Sequence, residues 1–214
     1  MALPEVREVF EAMPRVDALV CHPRFALDLA HLEELERDRP WCRHGLSHLL
    51  DVARIMWIAV LEHGWDASAG HEVAGVGSSA RDACDTGTAT CEGGAGTPLF
   101  TRDVIYATAL LHDMGRVAQY ETGEPHHAAG QRYARELLGE LAGPERFTAA
   151  ETEAIVYAVG AHRSCGAGAS AGPAAEALAN LLRASDKAAR ACWACSARAT
   201  CAWPLEKRNE GVRA

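Results

Sequence analysis

The sequence lacks a hydrophobic run long enough to cross a membrane. Its longest uninterrupted apolar stretch covers residues 55–61, whereas a membrane-spanning helix needs about 20 apolar residues. The first ten residues, MALPEVREVF, place acidic side chains where a secretion signal needs an apolar segment. We therefore expect a cytoplasmic protein that does not bind membranes.

The sequence also lacks an excess of positive charge. Its 21 Lys and Arg residues face 29 Asp and Glu residues, which gives a net charge of −8. Proteins that bind long nucleic acids rely on Lys and Arg to neutralise phosphates, so this balance argues against such a partner. A chain of 214 residues is long enough for one domain with a substantial core. A small-molecule partner fits these properties better.

No segment shows the two-residue alternation of a β-strand, and the apolar residues recur at helical spacing. The sequence predicts an all-α fold in which the most apolar segment, residues 46–61, forms a central buried helix. Thr101 is expected to cap another helix. Two segments rich in Gly, Ala and Ser, residues 66–98 and 164–172, are expected at the surface, the first as a flexible insertion. The other predicted helices cover residues 5–13, 24–37, 102–112, 127–141, 149–162 and 174 to about 195.

Four residues with His or Asp side chains lie in apolar helical contexts and suggest a metal site. His112 and Asp113 follow the apolar stretch Leu110-Leu111, where burial of polar groups is costly without compensation. His48 precedes an apolar face, and Asp186 stands near the end of the last predicted helix. If these helices pack together, mixed nitrogen and oxygen ligands converge on one divalent cation.

The ordered set HLLDVA, LLHDMGR and RASDK resembles the HD-domain metal-dependent phosphohydrolases from about residue 42 to residue 190. The resemblance implies an HD-domain helical bundle over residues 41–191. N-terminal helices in residues 1–40 would pack on this bundle, and a C-terminal segment with cysteines would cover residues 192–214. It also implies that His48, His112, Asp113 and Asp186 hold Mn, Mg, Co, Fe or Zn.

Further histidines extend the resemblance. RHGLSHLLDV is similar to the start of the cyclic-nucleotide phosphodiesterase motif, which implies that His44 protonates the leaving oxygen. His127 stands in an HxxG context and His162 at the end of a predicted helix, as in HD hydrolases that cut dinucleoside polyphosphates. This resemblance implies that both histidines bind a second cation, which Asp113 bridges to the first. The alternative is that these histidines line a polar cleft and contact phosphate. The resemblance assigns no functional role to His126.

The resemblance implies hydrolysis of a small phosphorylated compound, such as a nucleotide, by a metal-activated hydroxide. Asp113 would then be catalytic as well as a ligand, and Arg116 and Lys187 are the nearest candidates to bind phosphate. Two other functions use the same ligands. One is a di-iron oxygenase similar to inositol oxygenase, and the other is a nucleotide-binding or redox-sensing module without turnover.

The cysteines suggest a second site. Cys192 and Cys195 form a CxxC motif, Cys201 follows, and this spacing suits thiolate ligands of a zinc ion or an iron–sulfur cluster. Cys42 is the candidate for a fourth ligand because it lies six residues before His48, while Cys192 lies six residues beyond Asp186. The chain is similar here to small bacterial HD proteins with a C-terminal cysteine segment. The alternative is buried thiols that only pack.

Overall fold

The computed structural model describes residues 10, 12–67, 100–163 and 171–212. These ranges hold only α-helices, short 3₁₀ turns and one isolated bridge between Asp66 and Phe100. The prediction of an all-α fold is therefore confirmed. The helices are α1 Pro14–Val20, α2 Pro23–Leu35, α3 Leu46–Glu62, α4 Arg102–Leu111, α5 Arg116–Thr122, α6 His126–Glu140, α7 Ala149–Ala161 and α8 Pro173–Ala188. None of them combines the length and apolarity that a bilayer crossing requires.

The most deeply buried helix is α4, whereas residues 46–61, predicted as a central buried helix, form a helix that is buried along one side only. Every side chain from Val104 to Leu111 is buried, and α4 packs against α1, α3, α6, α7 and α8. Helix α3 instead buries one stripe of residues at helical spacing. Its side chains Ile58 and Leu61 are 41% and 51% exposed. High apolarity therefore did not identify the innermost helix.

Local sequence signals explain where the core helices begin. The side chain of Thr101 accepts a hydrogen bond from the backbone N–H of Val104, as predicted, and caps α4. Thr148 and Glu151 form a reciprocal capping box at the start of α7. Arg15 of α1 donates to Asp103 Oδ2 at 2.7 Å and to Glu151 Oε2 at 2.9 Å. These contacts fix α1 against the first turns of both α4 and α7.

The observed helices differ from the predicted ones at several places. The last helix ends at Ala188, so its predicted continuation to about residue 195 was wrong, and 3₁₀ turns follow instead. Helix α5 was not predicted at all. The predicted helix over residues 5–13 falls largely outside the described residues. The two Gly-rich segments also fall almost entirely outside them.

The C-terminal segment is fixed to α8 by hydrogen bonds. Asn209 is 3% exposed, and its amide nitrogen donates to the carbonyl oxygens of Lys187, Ala188 and Arg190. The guanidinium of Arg208 donates to three more carbonyl oxygens, those of Arg198, Cys201 and Trp203. The segment therefore has a defined conformation against the end of α8.

Candidate metal centre

The four residues predicted as metal ligands lie together, although they come from two helices and the turn after α4. His48 lies in the first turn of α3, Asp186 in the last turn of α8, and His112 and Asp113 directly after α4. One ligand atom from each residue lies within 4.8 Å of the others. His48 Nε2 is 3.4 Å from Asp186 Oδ1 and 3.6 Å from Asp113 Oδ2. We call these four residues the first group.

The nitrogen atoms of the first group have the chemistry of metal ligands. His112 is fully buried, and its Nδ1 lies 2.6 Å from the carbonyl oxygen of Ala109, which can only accept a hydrogen bond. Nδ1 must therefore carry a proton, and Nε2, which lies 3.2 Å from Asp113 Oδ2, is the ring nitrogen that can bind a metal. The Nε2 atoms of His48 and His112 are buried without a hydrogen-bond partner. Buried unpaired nitrogens are costly, and a cation among them would remove that cost.

Asp113 also belongs to a second group, made with His126 and His162. His126 Nε2 lies 3.8 Å from Asp113 Oδ1 and 3.3 Å from His162 Nε2. The Nδ1 of His162 pairs with the carbonyl oxygen of Val159 at 2.6 Å, which leaves its Nε2 lone pair directed to the group. Asp113 thus lies between two sets of imidazoles, one on each carboxylate oxygen.

The histidine in the second group is His126 and not His127, which we had predicted. Both begin α6, but His126 is buried and His127 is only partly so. The backbone at Gly115 crosses the first turns of α6 at close range, and this crossing fixes which of the two histidines faces Asp113. A Cβ on Gly115 would lie 2.1 Å from the carbonyl oxygen of His126 and 2.3 Å from the amide nitrogen of Gly130. The glycine of the HxxG segment, Gly130, therefore lies at this backbone contact.

Replacing Gly115 by Ala is expected to destabilise the fold by about 3 kcal/mol or more, the upper end of typical overpacking costs. The reason is that backbone atoms, which cannot rotate away, surround the position. Urea unfolding followed by circular dichroism measures the effect. Gly139→Ala in α6 is the matched control, since nothing lies within 4 Å of the added methyl group, and it should stabilise the helix by about 1 kcal/mol. Equal stability of the two variants would contradict the close crossing.

The charges around Asp113 keep it ionised. Burial opposes this charge, but His112 and Arg116 outweigh burial and hold the pKa of Asp113 well below its usual value. Arg116 Nε donates to Asp113 Oδ1 at 2.8 Å. Burial lowers the pKa of His126 to about 3 and that of His162 to about 4. These imidazoles are therefore neutral near pH 7, the form that binds a metal.

The helix ends around the site also favour a cation. Helices α4 and α7 end immediately before His112 and His162, and Asp186 lies in the last turn of α8. The C-terminal end of a helix carries partial negative charge from its free carbonyl groups. Three such ends lie beside the two groups, so their electrostatic effect has the same sign as that of the two carboxylates.

His44 is held next to the first group by a residue that sequence reasoning missed. Glu36 directly follows α2 and is 1% exposed. Its carboxylate accepts hydrogen bonds from the backbone N–H and the Nδ1 of His44, both at 2.6 Å, and from the Tyr120 hydroxyl at 2.6 Å. Burial opposes ionisation of Glu36, but these donors outweigh it and lower its pKa to about 2. The other ring nitrogen of His44 lies 3.9 Å from Asp113 Oδ2.

The remaining predicted residues lie in different surroundings. Arg116 contacts the site through Asp113, whereas Lys187 is exposed beside Asp186. The described cysteines are free thiols, and none belongs to either group of metal ligands. The four that we predicted to bind a metal nevertheless line one cavity with His48, namely Cys42, Cys192, Cys195 and Cys201.

Comparisons with known proteins add a relative of similar length but no activity. No family model matches the chain, and no solved structure matches it significantly. The chain is 28% identical over 197 residues to an uncharacterized protein of Clostridium beijerinckii, and the alignment covers 92% of this chain and 97% of that protein. The similarity thus extends over nearly the whole of both chains. The His and Asp cluster, which could hold a metal ion, is therefore the feature of the molecule that indicates a function.

Proposed function

We propose that the protein is a metal-dependent phosphohydrolase that acts on a small phosphorylated compound, such as a nucleotide. The observation that carries this proposal is the position of Asp113, whose two oxygens face two groups of neutral or unpaired imidazole nitrogens. Two-cation sites built on a shared carboxylate are typical of phosphoester hydrolysis. The resemblance to HD-domain phosphohydrolases, which rests on the same residues, agrees with this chemistry.

The first group would hold one divalent cation through His48, His112, Asp113 and Asp186. A second cation would use His126 and His162 together with Asp113. Arg116 already neutralises the Oδ1 atom that faces the second group, so we expect the second cation to bind more weakly than the first. Bound divalent cations would supply an activated water and screen the charge of the phosphoryl oxygens.

His44 would exchange a proton with the leaving oxygen of the substrate through Nε2. Its Nδ1 proton is donated to the ionised Glu36, which fixes the tautomer and the ring orientation. Glu36 is in turn held by Tyr120. A carboxylate behind a histidine also stabilises the protonated ring as charge develops. Glu36 is therefore a positioning residue for His44.

Phosphate binding would fall to cationic side chains near Asp113. Arg116 uses Nε for Asp113, and a guanidinium has four further N–H groups that can bind phosphate oxygens. Lys187 would contribute long-range attraction from its exposed position beside Asp186. The net charge of −8 does not oppose this, because bound cations dominate the local field.

A panel of phosphorylated substrates with defined metals tests the proposal. The protein, stripped with a chelator and reloaded with Mn²⁺ or Co²⁺, is expected to release phosphate from p-nitrophenyl phosphate or nucleoside monophosphates, or to split dinucleoside polyphosphates into two nucleotides. Fresh chelator should stop the reaction. Absence of phosphate release, together with oxygen consumption by the iron-loaded protein, would instead support the oxygenase that shares these ligands. Nucleotide binding without any turnover would support a sensing module.

A further inference from the structure

We propose that Cys42, Cys192, Cys195 and Cys201 hold an iron–sulfur cluster in the cavity beside His48. These four of the five described free cysteines line a single cavity of about 470 Å³. The fifth, Cys21, is exposed and lies between α1 and α2, away from the cavity. Burial, followed by the thiol of Cys192, raises the pKa of Cys42.

The backbone after α8 arranges three of these thiols on one side. Cys192, Cys195, Arg198 and Cys201 are spaced three residues apart and all line the cavity. Two 3₁₀ turns, Cys192–Ala194 and Arg198–Thr200, carry this spacing. A 3₁₀ helix has three residues per turn, so residues at i and i+3 lie one above the other. The repeat therefore directs side chains from successive turns toward the same space.

This arrangement is held without a disulfide. The carbonyl oxygens of Arg198 and Cys201 both accept hydrogen bonds from the guanidinium of Arg208, at 2.8 and 2.7 Å. Cys42 reaches the cavity from a different segment, the loop before α3, where its carbonyl oxygen accepts a hydrogen bond from Arg39. Both cysteine-bearing segments thus have fixed backbones. A preformed ligand set lowers the entropic cost of binding a cofactor.

The spacing and the charge of the cavity favour a cluster over a single zinc ion. Zinc at about 2.3 Å from four sulfurs requires sulfur atoms about 3.8 Å apart. The described cysteines form no ligand group even at 4.8 Å, although they share one cavity. An iron–sulfur cluster is bound at its corners by four cysteines and needs wider spacing. The lining arginines, Arg43, Arg190, Arg198 and Arg208, would offset the negative charge of four thiolates.

Anaerobic reconstitution of the full chain with ferrous iron and sulfide tests the proposal. We expect acid-labile sulfide to bind, together with an equal amount of cluster iron beyond any iron that the imidazole groups hold, and to give a visible charge-transfer absorption that reduction bleaches. Cys195→Ser should lose the sulfide and the absorption, whereas the matched control Cys21→Ser should retain both. Binding of zinc without sulfide would overturn the proposal, as would an unchanged absorption in Cys195→Ser.

Two further measurements keep the test decisive. In the reconstituted wild-type chain, the four cavity cysteines should resist alkylation by iodoacetamide while Cys21 reacts, as read by mass spectrometry; alkylation of all five would contradict the cluster. This readout does not depend on whether a variant folds. His112→Ala should retain sulfide and absorption, because iron held by the imidazole groups carries no sulfide. The cluster proposal and the phosphohydrolase proposal can therefore be contradicted independently of each other.

Discussion

Asp113→Asn is expected to abolish phosphate release and to remove metal from both groups. The amide has the shape of the carboxylate but no charge, and its NH₂ group would face imidazole nitrogens or Arg116 where an oxygen lies now. Loss of an outer-shell partner of a metal costs roughly 10–100-fold, and we expect loss of this shared ligand to exceed that range. His112→Ala should have the same effect on the first group.

Metal content per chain and phosphate release measure these effects together. Circular dichroism shows whether each variant is folded, because removal of Asp113 also leaves Arg116 without its ion pair. His126→Ala should lower metal content by about one ion per chain, since only the second group loses a ligand. His127→Ala is the matched comparison and should retain full metal content and activity. Full activity in Asp113→Asn or His112→Ala would exclude the assigned centre.

His44→Ala is expected to lower kcat on a nucleotide substrate by about 10²–10⁴-fold, the usual contribution of a general acid. Metal content should not change, because His44 belongs to neither ligand group. Glu36→Gln should reduce kcat less, by roughly 10–100-fold. All three donors to Glu36 need an acceptor, and the Gln side chain must turn its NH₂ group toward one of them.

The leaving group of the substrate separates this role from a structural one. p-Nitrophenyl phosphate releases an anion that needs no protonation, so His44→Ala should lose much less activity on it than on a nucleotide. A general loss of structure would lower both rates equally. Tyr120→Phe removes one hydrogen bond to Glu36 and leaves His44 in contact with the carboxylate, so it should cause a smaller loss than Glu36→Gln. Equal losses on both substrates would contradict proton transfer by His44.

The first group could be proposed from the sequence because each member stands at the end of an apolar segment. Helix ends meet at one face of a bundle, so polar residues placed there in HLLDVA, LLHDMGR and RASDK are brought together whenever the helices pack. Neither the order of packing nor the depth of each helix is needed for this inference. The overestimated burial of residues 46–61 therefore left the choice of His48, His112 and Asp186 unaffected.

The choice between two adjacent histidines needed tertiary information. His126 and His127 have the same local context, and only the crossing of Gly115 with Gly130 decides which one faces Asp113. Glu36 gave no signal because it lies in an acidic stretch, EELERD, where a solvent-exposed role was the simplest interpretation. Its burial depends on the loop that brings His44 back across the end of α2.

The hydrogen bonds of Asn209 imply that the C-terminal end of α8 is capped by a residue much later in the chain. A helix normally satisfies its last carbonyl groups with residues that follow immediately. Here one amide from the far C-terminal segment serves Lys187, Ala188 and Arg190. Asp186 lies in the last turn of α8, so the segment around Asn209 holds in place a helix end that carries a ligand of the candidate centre. Any partner that pulled this segment away would loosen that ligand without touching it.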